Sequence, residues 1–278
     1  MFAATTQLGK GLRAHSRQLS TTARLSQPTI KLEVERKFVP PTYLASSLGC
    51  EHDDNISPLL TRSQNPSKII RDTYFDLDGR LSKNGVWLRR REELTVPSDT
   101  SAALFPYPQD AIWQAKVRLG GDFVDSQFEE AEGESAAEAI LSQHIPGTKL
   151  PDLLPTADLN TFRRTWDVRD HESLTWPACT YEMRVVLDIV SEKAESVRQT
   201  GVFWHQIGEV EVTADVEKGV SKIYKQTNLE SMRRVQREFM LRHGKLFPEE
   251  PAPAGKLSAY FKWKETAAAL RKHASSDA

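Results

Sequence analysis

Residues Ile30–Pro40 read IKLEVERKFVP, and polar and apolar positions alternate through them with period two. That period belongs to a half-buried β-strand. On such a strand Glu33, Glu35 and Lys37 point one way, and Leu32, Val34 and Phe38 the other. Further strand-like runs lie at Ile69–Asp76, Gly85–Leu94, Ala111–Leu119, Asp122–Glu132, Cys179–Val190 and His205–Ala214, and several divide in the same way. Arg89 shares a face with Arg91, Lys116 with Arg118, Arg184 with Asp188, and Glu209 with Glu211. Val34, Trp113, Val117, Met183, Val185, Leu187, Val210 and Val212 occupy the opposite faces. Asp78-Gly79 and Gly120-Gly121 supply turn chemistry between runs.

Strands with one charged and one apolar face pack in two ways. The apolar faces form a sandwich core with the charges in water, which is the common outcome. Alternatively the sheet closes with its charges inside, and helices cover the apolar exterior. Helices are available for this. A short one is expected around Pro41–Leu48, another over Ser135–Gln143, and the strongest over Asp215–His243, with Gly244 as its stop. A Pro-rich joint, Pro248–Gly255, leads to a short final helix. Residues 266–278 read as a flexible tail, and no internal repeat is present.

The charged positions have an organised chemistry, with acids and bases on separate strands. Glu-x-Glu on a strand sets two carboxylates side by side, about 7 Å apart. Facing each other across a lumen, Glu33/Glu35 and Glu209/Glu211, with Asp188 nearby, would repel unless a cation joined them. Hard oxygen ligands select Mg²⁺ or Mn²⁺, and Mg²⁺ favours phosphate as a further ligand. Lys37, Arg89, Arg91, Lys116, Arg164 and Lys256 would supply the countercharge of a polyphosphate, since arginine's planar fork takes phosphate oxygens bidentately. A single Glu-x-Glu-x-Lys strand more often marks a solvated face. The weight therefore rests on the combination.

In combination, these segments resemble the CYTH domain of the triphosphate tunnel metalloenzymes. LEVERKF (32–38) is similar to that family's Glu-x-Glu-x-Lys signature; RDTYFD (71–76) and GVWLRRR (85–91) are similar to its second and third strands. WQAKVR carries the expected Lys116, FEEAEG an acidic position at Glu130, FRRTW an arginine at Arg164 and VVLDIV Asp188; IGEVEV carries Glu209 and Glu211, and PAGKLSAY Lys256. The motifs stand in family order from residue 32 to 260. The resemblance implies an α+β fold, a closed antiparallel eight-stranded barrel with a charged lumen and helices outside, over 29–265. It implies Mg²⁺-dependent (or Mn²⁺-dependent) hydrolysis of a small-molecule triphosphate.

EVERKF with WLRRRE resembles thiamine triphosphatases most. Inorganic tripolyphosphate, a nucleoside triphosphate, cyclisation to cyclic AMP and non-catalytic polyphosphate binding are the alternatives. The implied roles are metal binding by Glu33, Glu35, Asp188, Glu209 and Glu211, and phosphate binding by the six bases. Lys37, Lys116 and Glu130 are the catalytic candidates. The water is activated by a carboxylate or by a lysine of lowered pKa, and Glu130 orients a base or serves as an ion-pair partner. Trp87 lies two residues before Arg89 and therefore shares its face. It either stacks on a thiazolium or packs at the barrel rim. Two stretches depart from the family, a long loop at Pro97–Asp110 and the segment Ile145–Leu159.

Composition sets the outer bounds. The chain has 278 residues, 37 basic and 38 acidic, and a net charge of -1, so nothing global points to nucleic acid or membrane, and a monomer suffices. Cys50 and Cys179 lack metal-ligand spacing and read as reduced thiols. His144, His171, His205 and His243 have no Ser or Cys partner pattern, and no phosphate-cradling glycine loop is present. Residues 1–32 contain no Asp or Glu but carry Lys10, Arg13, Arg17 and Arg24 among many Ser and Thr. Such a leader, taken as residues 1–28, suits mitochondrial import, with a cytoplasmic protein and an unaddressed extension as the alternative.

Overall fold

The computed structural model describes residues 29–49, 60–61, 66–96, 110–168, 175–176, 179–192 and 202–276. The leader, Cys50, most of the Pro97–Asp110 loop and His171 lie outside the described residues. Eight long strands form the body: β1 (Thr29–Phe38), β2 (Lys68–Asp76), β3 (Val86–Thr95), β4 (Ile112–Gly121), β5 (Asp125–Glu132), β6 (Leu154–Val168), β7 (Glu182–Glu192) and β8 (Trp204–Glu217). Their order is β7-β8-β1-β5-β4-β3-β2-β6, every pairing is antiparallel, and β6 returns to β7. The sheet is therefore a closed barrel, with a short added pairing of Leu60–Thr61 on β6.

Closure puts the charged faces inside. The apolar core consequently lies outside the barrel wall, between strands and helices. Leu32, Val34 and Phe38 of β1, Met183, Val185 and Leu187 of β7, and Val210, Val212 and Val216 of β8 pack under Leu229, Met232, Val235 and Phe239. Those four belong to α4 (Lys222–Arg242), whose buried positions recur every three or four residues. Ser221 caps α4 by accepting from the Tyr224 amide. Gln236 donates to the carbonyls of Val34 and Val210, and so pins the helix to both strands. On the other side, α2 (Arg80–Lys83) and α3 (Glu134–His144) cover Val86, Leu88 and Ala115 with Leu81, Ala137 and Leu141.

Three expectations need correction. The strong helix begins at Lys222, because β8 continues to Glu217 in register with β1 as far as Thr29. The final helix α5 (Lys256–Ser276) is long, and covers most of the stretch read as a tail. The 15-residue β6 did not stand out because its faces exchange character midway. Ala157 and Leu159 pack with Tyr74 and Tyr260, whereas Arg163 on the same face is an ion-pairing group; Trp166 and Val168 on the other face join the outer core. The short α1 (Leu44–Gly49) begins three residues after its expected start and ends one residue beyond its expected end.

Two glycines are required by position. Gly121 has φ +75°, and a Cβ there would lie 1.9 Å from the Asp125 carbonyl oxygen in the β4–β5 turn. At Gly208 the far end of the Phe38 ring comes against the bare backbone, its Cζ 2.3 Å from where a Cβ would stand. Phe38 is fully buried and meets Phe247 edge-on at 5.1 Å. Gly208→Ala is therefore expected to destabilise by about 1–3 kcal/mol through overpacking. Urea unfolding reads this directly, and an unchanged midpoint would refute the seating of that ring.

Candidate functional site

The barrel encloses a cavity of 380 Å³ whose lining includes Glu33, Glu35, Lys37, Trp87, Arg89, Arg91, Lys116, Glu130, Arg163, Glu209, Glu211 and Lys256. Strand alternation delivers these groups. Each strand turns every second side chain inward, and closure converges them.

Glu33 and Glu35 of β1 stand beside Glu211 of β8, with carboxylate oxygens from all three within 4.8 Å of one another. The two Glu-x-Glu pairs do not face each other across the lumen. They are on adjacent strands, where Glu35 pairs with Glu211 and Lys37 with Glu209. Lys116 Nζ lies 2.7 Å from Glu33, 3.2 Å from Glu35 and 3.2 Å from Glu130. The contact to Glu33 Oε2 has ion-pair distance but not hydrogen-bond geometry, so that buried oxygen accepts no hydrogen bond. Lys37 donates to Glu35.

Asp188 does not join the glutamates. It is fully buried and accepts two bonds from Arg163, at 2.8 and 2.7 Å, and one from Lys256 at 2.5 Å. Glu209 also lies outside the trio, 3.8 Å from Arg163. Arg163, not Arg164, is the lumen arginine of β6. Arg164 lies on the opposite face, its guanidinium 5.1 Å over the Trp166 ring outside the barrel. FRRTW offers two adjacent arginines, and only the phase of the strand separates them. Asp72 was also missed: it takes Arg91 bidentately at 2.7 Å and stands 3.6 Å from Arg89. Its signal was the alternation Asp72, Tyr74, Asp76 within RDTYFD. Arg89 also donates to Gln114 at 2.9 Å and to the Tyr74 hydroxyl at 3.4 Å.

Burial raises the pKa of Glu33 well above the usual carboxylate range, and crowding by Glu130 adds to it despite Lys116. Burial likewise raises Glu211. Burial would also raise Glu35, but Lys116 and Lys37 overcome it and hold Glu35 far below its ordinary value. Lys116 similarly brings Glu130 down to about 2. For Lys37 and Lys116, desolvation is outweighed by facing glutamates, and both are raised. Neither lysine is therefore lowered in the folded chain. His205 is lowered by burial, and its Nε2 lies 2.8 Å from the Ala254 carbonyl.

Three crowded carboxylates, two of them pushed towards protonation and one with an oxygen lacking a donor, are a donor set that fits a hard divalent cation. Trp87 faces the lumen, edge-on to Phe128 at 5.6 Å. At one end of the tunnel, α5 brings Gly255, Lys256, Leu257 and Ser258 to the cavity, and Tyr260 donates to Glu192 at 2.8 Å. No described helix is long and apolar enough to cross a membrane.

No protein-family model and no curated protein matches the chain. Among solved structures, it is similar to a proposed adenylyl cyclase of Hippeastrum with a dominant triphosphatase activity. The identity is 13%, with 84% of this chain and 95% of that one covered, at a TM-score of 0.42. A Pyrococcus horikoshii protein aligns at 14% identity over 74% of this chain and 89% of its own, with a TM-score of 0.37. A proposed adenylate cyclase of Bacillus halodurans aligns at 17% over 80% and 96%, with a TM-score of 0.34. These overlays are loose.

Glu33 and Glu211 have raised folded pKa values, so the stability each contributes is present below the ordinary value of 4.5 and is lost as pH rises through the raised one. Without divalent metal at neutral pH, Glu33→Gln and Glu211→Gln should therefore raise the melting temperature by several degrees, on the order of 1 kcal/mol each. The gain should shrink as pH falls towards 4.5. Mg²⁺ should raise the melting temperature of the wild type, and of these variants far less. Equal Mg²⁺ shifts in all three proteins would place the cation elsewhere.

Proposed function

We propose that the chain is a triphosphate tunnel enzyme of the CYTH type, hydrolysing a triphosphate to a diphosphate and phosphate with a divalent metal. The observation that carries this reading is the juxtaposition, in one cavity, of a glutamate trio and a ring of fixed cations. Glu33, Glu35 and Glu211 would hold the metal, which when bound neutralises phosphate charge and helps align the chain of phosphates.

The protein's own groups do the rest. Phosphoryl transfer to water needs in-line positioning and neutralisation more than covalent help. Arg89 and Arg91, held by Asp72, and Arg163 and Lys256, held by Asp188, present donors whose orientation is fixed before substrate arrives. Lys37 and Lys116 stay protonated and act as charge. The proton of the attacking water then goes to a lumen carboxylate.

The motif resemblance favours thiamine triphosphate, with Trp87 as the aromatic surface for its ring. A second substrate, inorganic tripolyphosphate, is favoured by the lining itself. Most of the cavity's groups are charged, and its aromatic rings are Tyr74, Trp87, Phe123 and Phe128.

Phosphate release with Mg²⁺ should be seen for at least one of thiamine triphosphate, tripolyphosphate, ATP and GTP, and should vanish in EDTA. Arg163→Ala should lower kcat/KM by about 10²–10³-fold, while Arg164→Ala, on the outer face, should change it by less than about two-fold. Full activity in EDTA would sink the metal assignment, and equal losses at 163 and 164 would sink the lumen assignment.

A further inference from the structure

A cation of the protein already stands beside the Trp87 ring. Arg118 lies on β4 two residues after Lys116, and its guanidinium stands 5.9 Å from the Trp87 ring centre and 5.6 Å from that of Phe123. Phe123 is 62% exposed and lines the outer part of the cavity together with Trp87 and Phe128, while Arg118 adjoins the cavity through these rings and is not itself among its lining residues. Gly85 leaves the space that Arg118 occupies, since a Cβ there would come within 3.2 Å of the arginine side chain. The Arg118 amide donates to the Gly85 carbonyl at 2.8 Å and fixes its root. Among the described residues, no carboxylate pairs with Arg118, and its guanidinium stands beside the two rings that line the cavity.

We propose that Arg118 is a specificity-determining residue at the tunnel mouth, selecting triphosphates whose far end is anionic or a neutral, acceptor-bearing ring over those whose far end is a permanent cation. The proposal rests on reading the cavity as a triphosphate site. The electrostatics are direct. A ring face attracts a cation through its quadrupole, and here Arg118 satisfies that attraction. A thiazolium entering the same space meets a like charge in a partly desolvated setting, where repulsion is poorly screened. A neutral heterocycle meets a flat guanidinium on which it stacks, with N–H groups ready for its carbonyls or ring nitrogens. A terminal phosphate meets a fork that matches its oxygens. Arg118 therefore ranks tripolyphosphate and nucleoside triphosphates ahead of thiamine triphosphate, and the order is set by repulsion as much as by attraction.

The test is a ratio, so that loss of folded protein cancels. For the wild type, Arg118→Ala, Arg118→Gln and Arg118→Lys, kcat/KM is measured for thiamine triphosphate and for tripolyphosphate in one preparation with Mg²⁺. The thiamine-to-tripolyphosphate ratio should rise by about five-fold in the Ala and Gln variants and stay near the wild-type value in the Lys variant, which keeps the charge. An unchanged or falling ratio in Ala and Gln overturns the proposal. Dissociation constants of the same two compounds, from equilibrium titration, give the ratio independently of turnover. A shifted binding ratio without hydrolysis would sustain Arg118 and overturn the triphosphatase reading. Failure of both compounds to bind would overturn both.

Discussion

Everything in this fold answers to the problem of holding many ionised groups inside a barrel. An isolated buried charge is prohibitively costly, so each must be met by partners of opposite sign. The structure does so by a repeated device, one carboxylate clasped by two cations. Asp188 has Arg163 and Lys256, Asp72 has Arg91 and Arg89, and Glu35 has Lys37 and Lys116. Filling the lumen with charge also determines the exterior. The strands' apolar faces are left outside, and α4, α3 and their neighbours supply a dry surface against which those faces are buried.

The device breaks down in one place. Around Glu33 and Glu211 there is more acid than base, and burial with mutual repulsion pushes both towards protonation. Elsewhere Arg163 with Lys256, and Arg91 with Arg89, are committed in pairs to a carboxylate that orients them. A lumen with satisfied cations and an unsatisfied cluster of acids is poised to take up a divalent ion together with an anion, and is comfortable with neither alone. On the proposed reading, binding energy and catalytic charge would be the same groups seen at two stages.

The sequence displayed the inside-outside phase of most strands, because period-two alternation is a local property. LEVERKF, VWLRRR and IGEVEV each sort their charges correctly without knowledge of any neighbour. It could not display whether the sheet closes, since a sandwich and a tunnel share that alternation; only resemblance to a known family chose between them. It also could not display which strands are neighbours. The acidic pairs were therefore expected to face one another, whereas β1 and β8 lie edge to edge. Arg163 and Arg164 were confused for a physical reason. In β6 the apolar side becomes the charged side midway, so no single phase runs through the strand. Asp188 was placed on the right face but given the wrong partners, because its cations come from β6 and from the start of α5. The leader at residues 1–28 was legible only as composition.

The pairing of β1 with β8 has a consequence for how the protein is made. The trio is split between the first strand and the last, with Glu33 and Glu35 on one and Glu211 on the other. While the chain is still emerging from the ribosome, β1 can pair with β5, yet its other edge stays open until the final strand arrives. Long-range pairing of this kind is slow to form and leaves an unpaired strand edge exposed meanwhile. The acidic centre therefore does not exist in any shortened or half-made chain. It comes into being at the moment the sheet becomes a ring, so the proposed metal site and the finished fold arrive together.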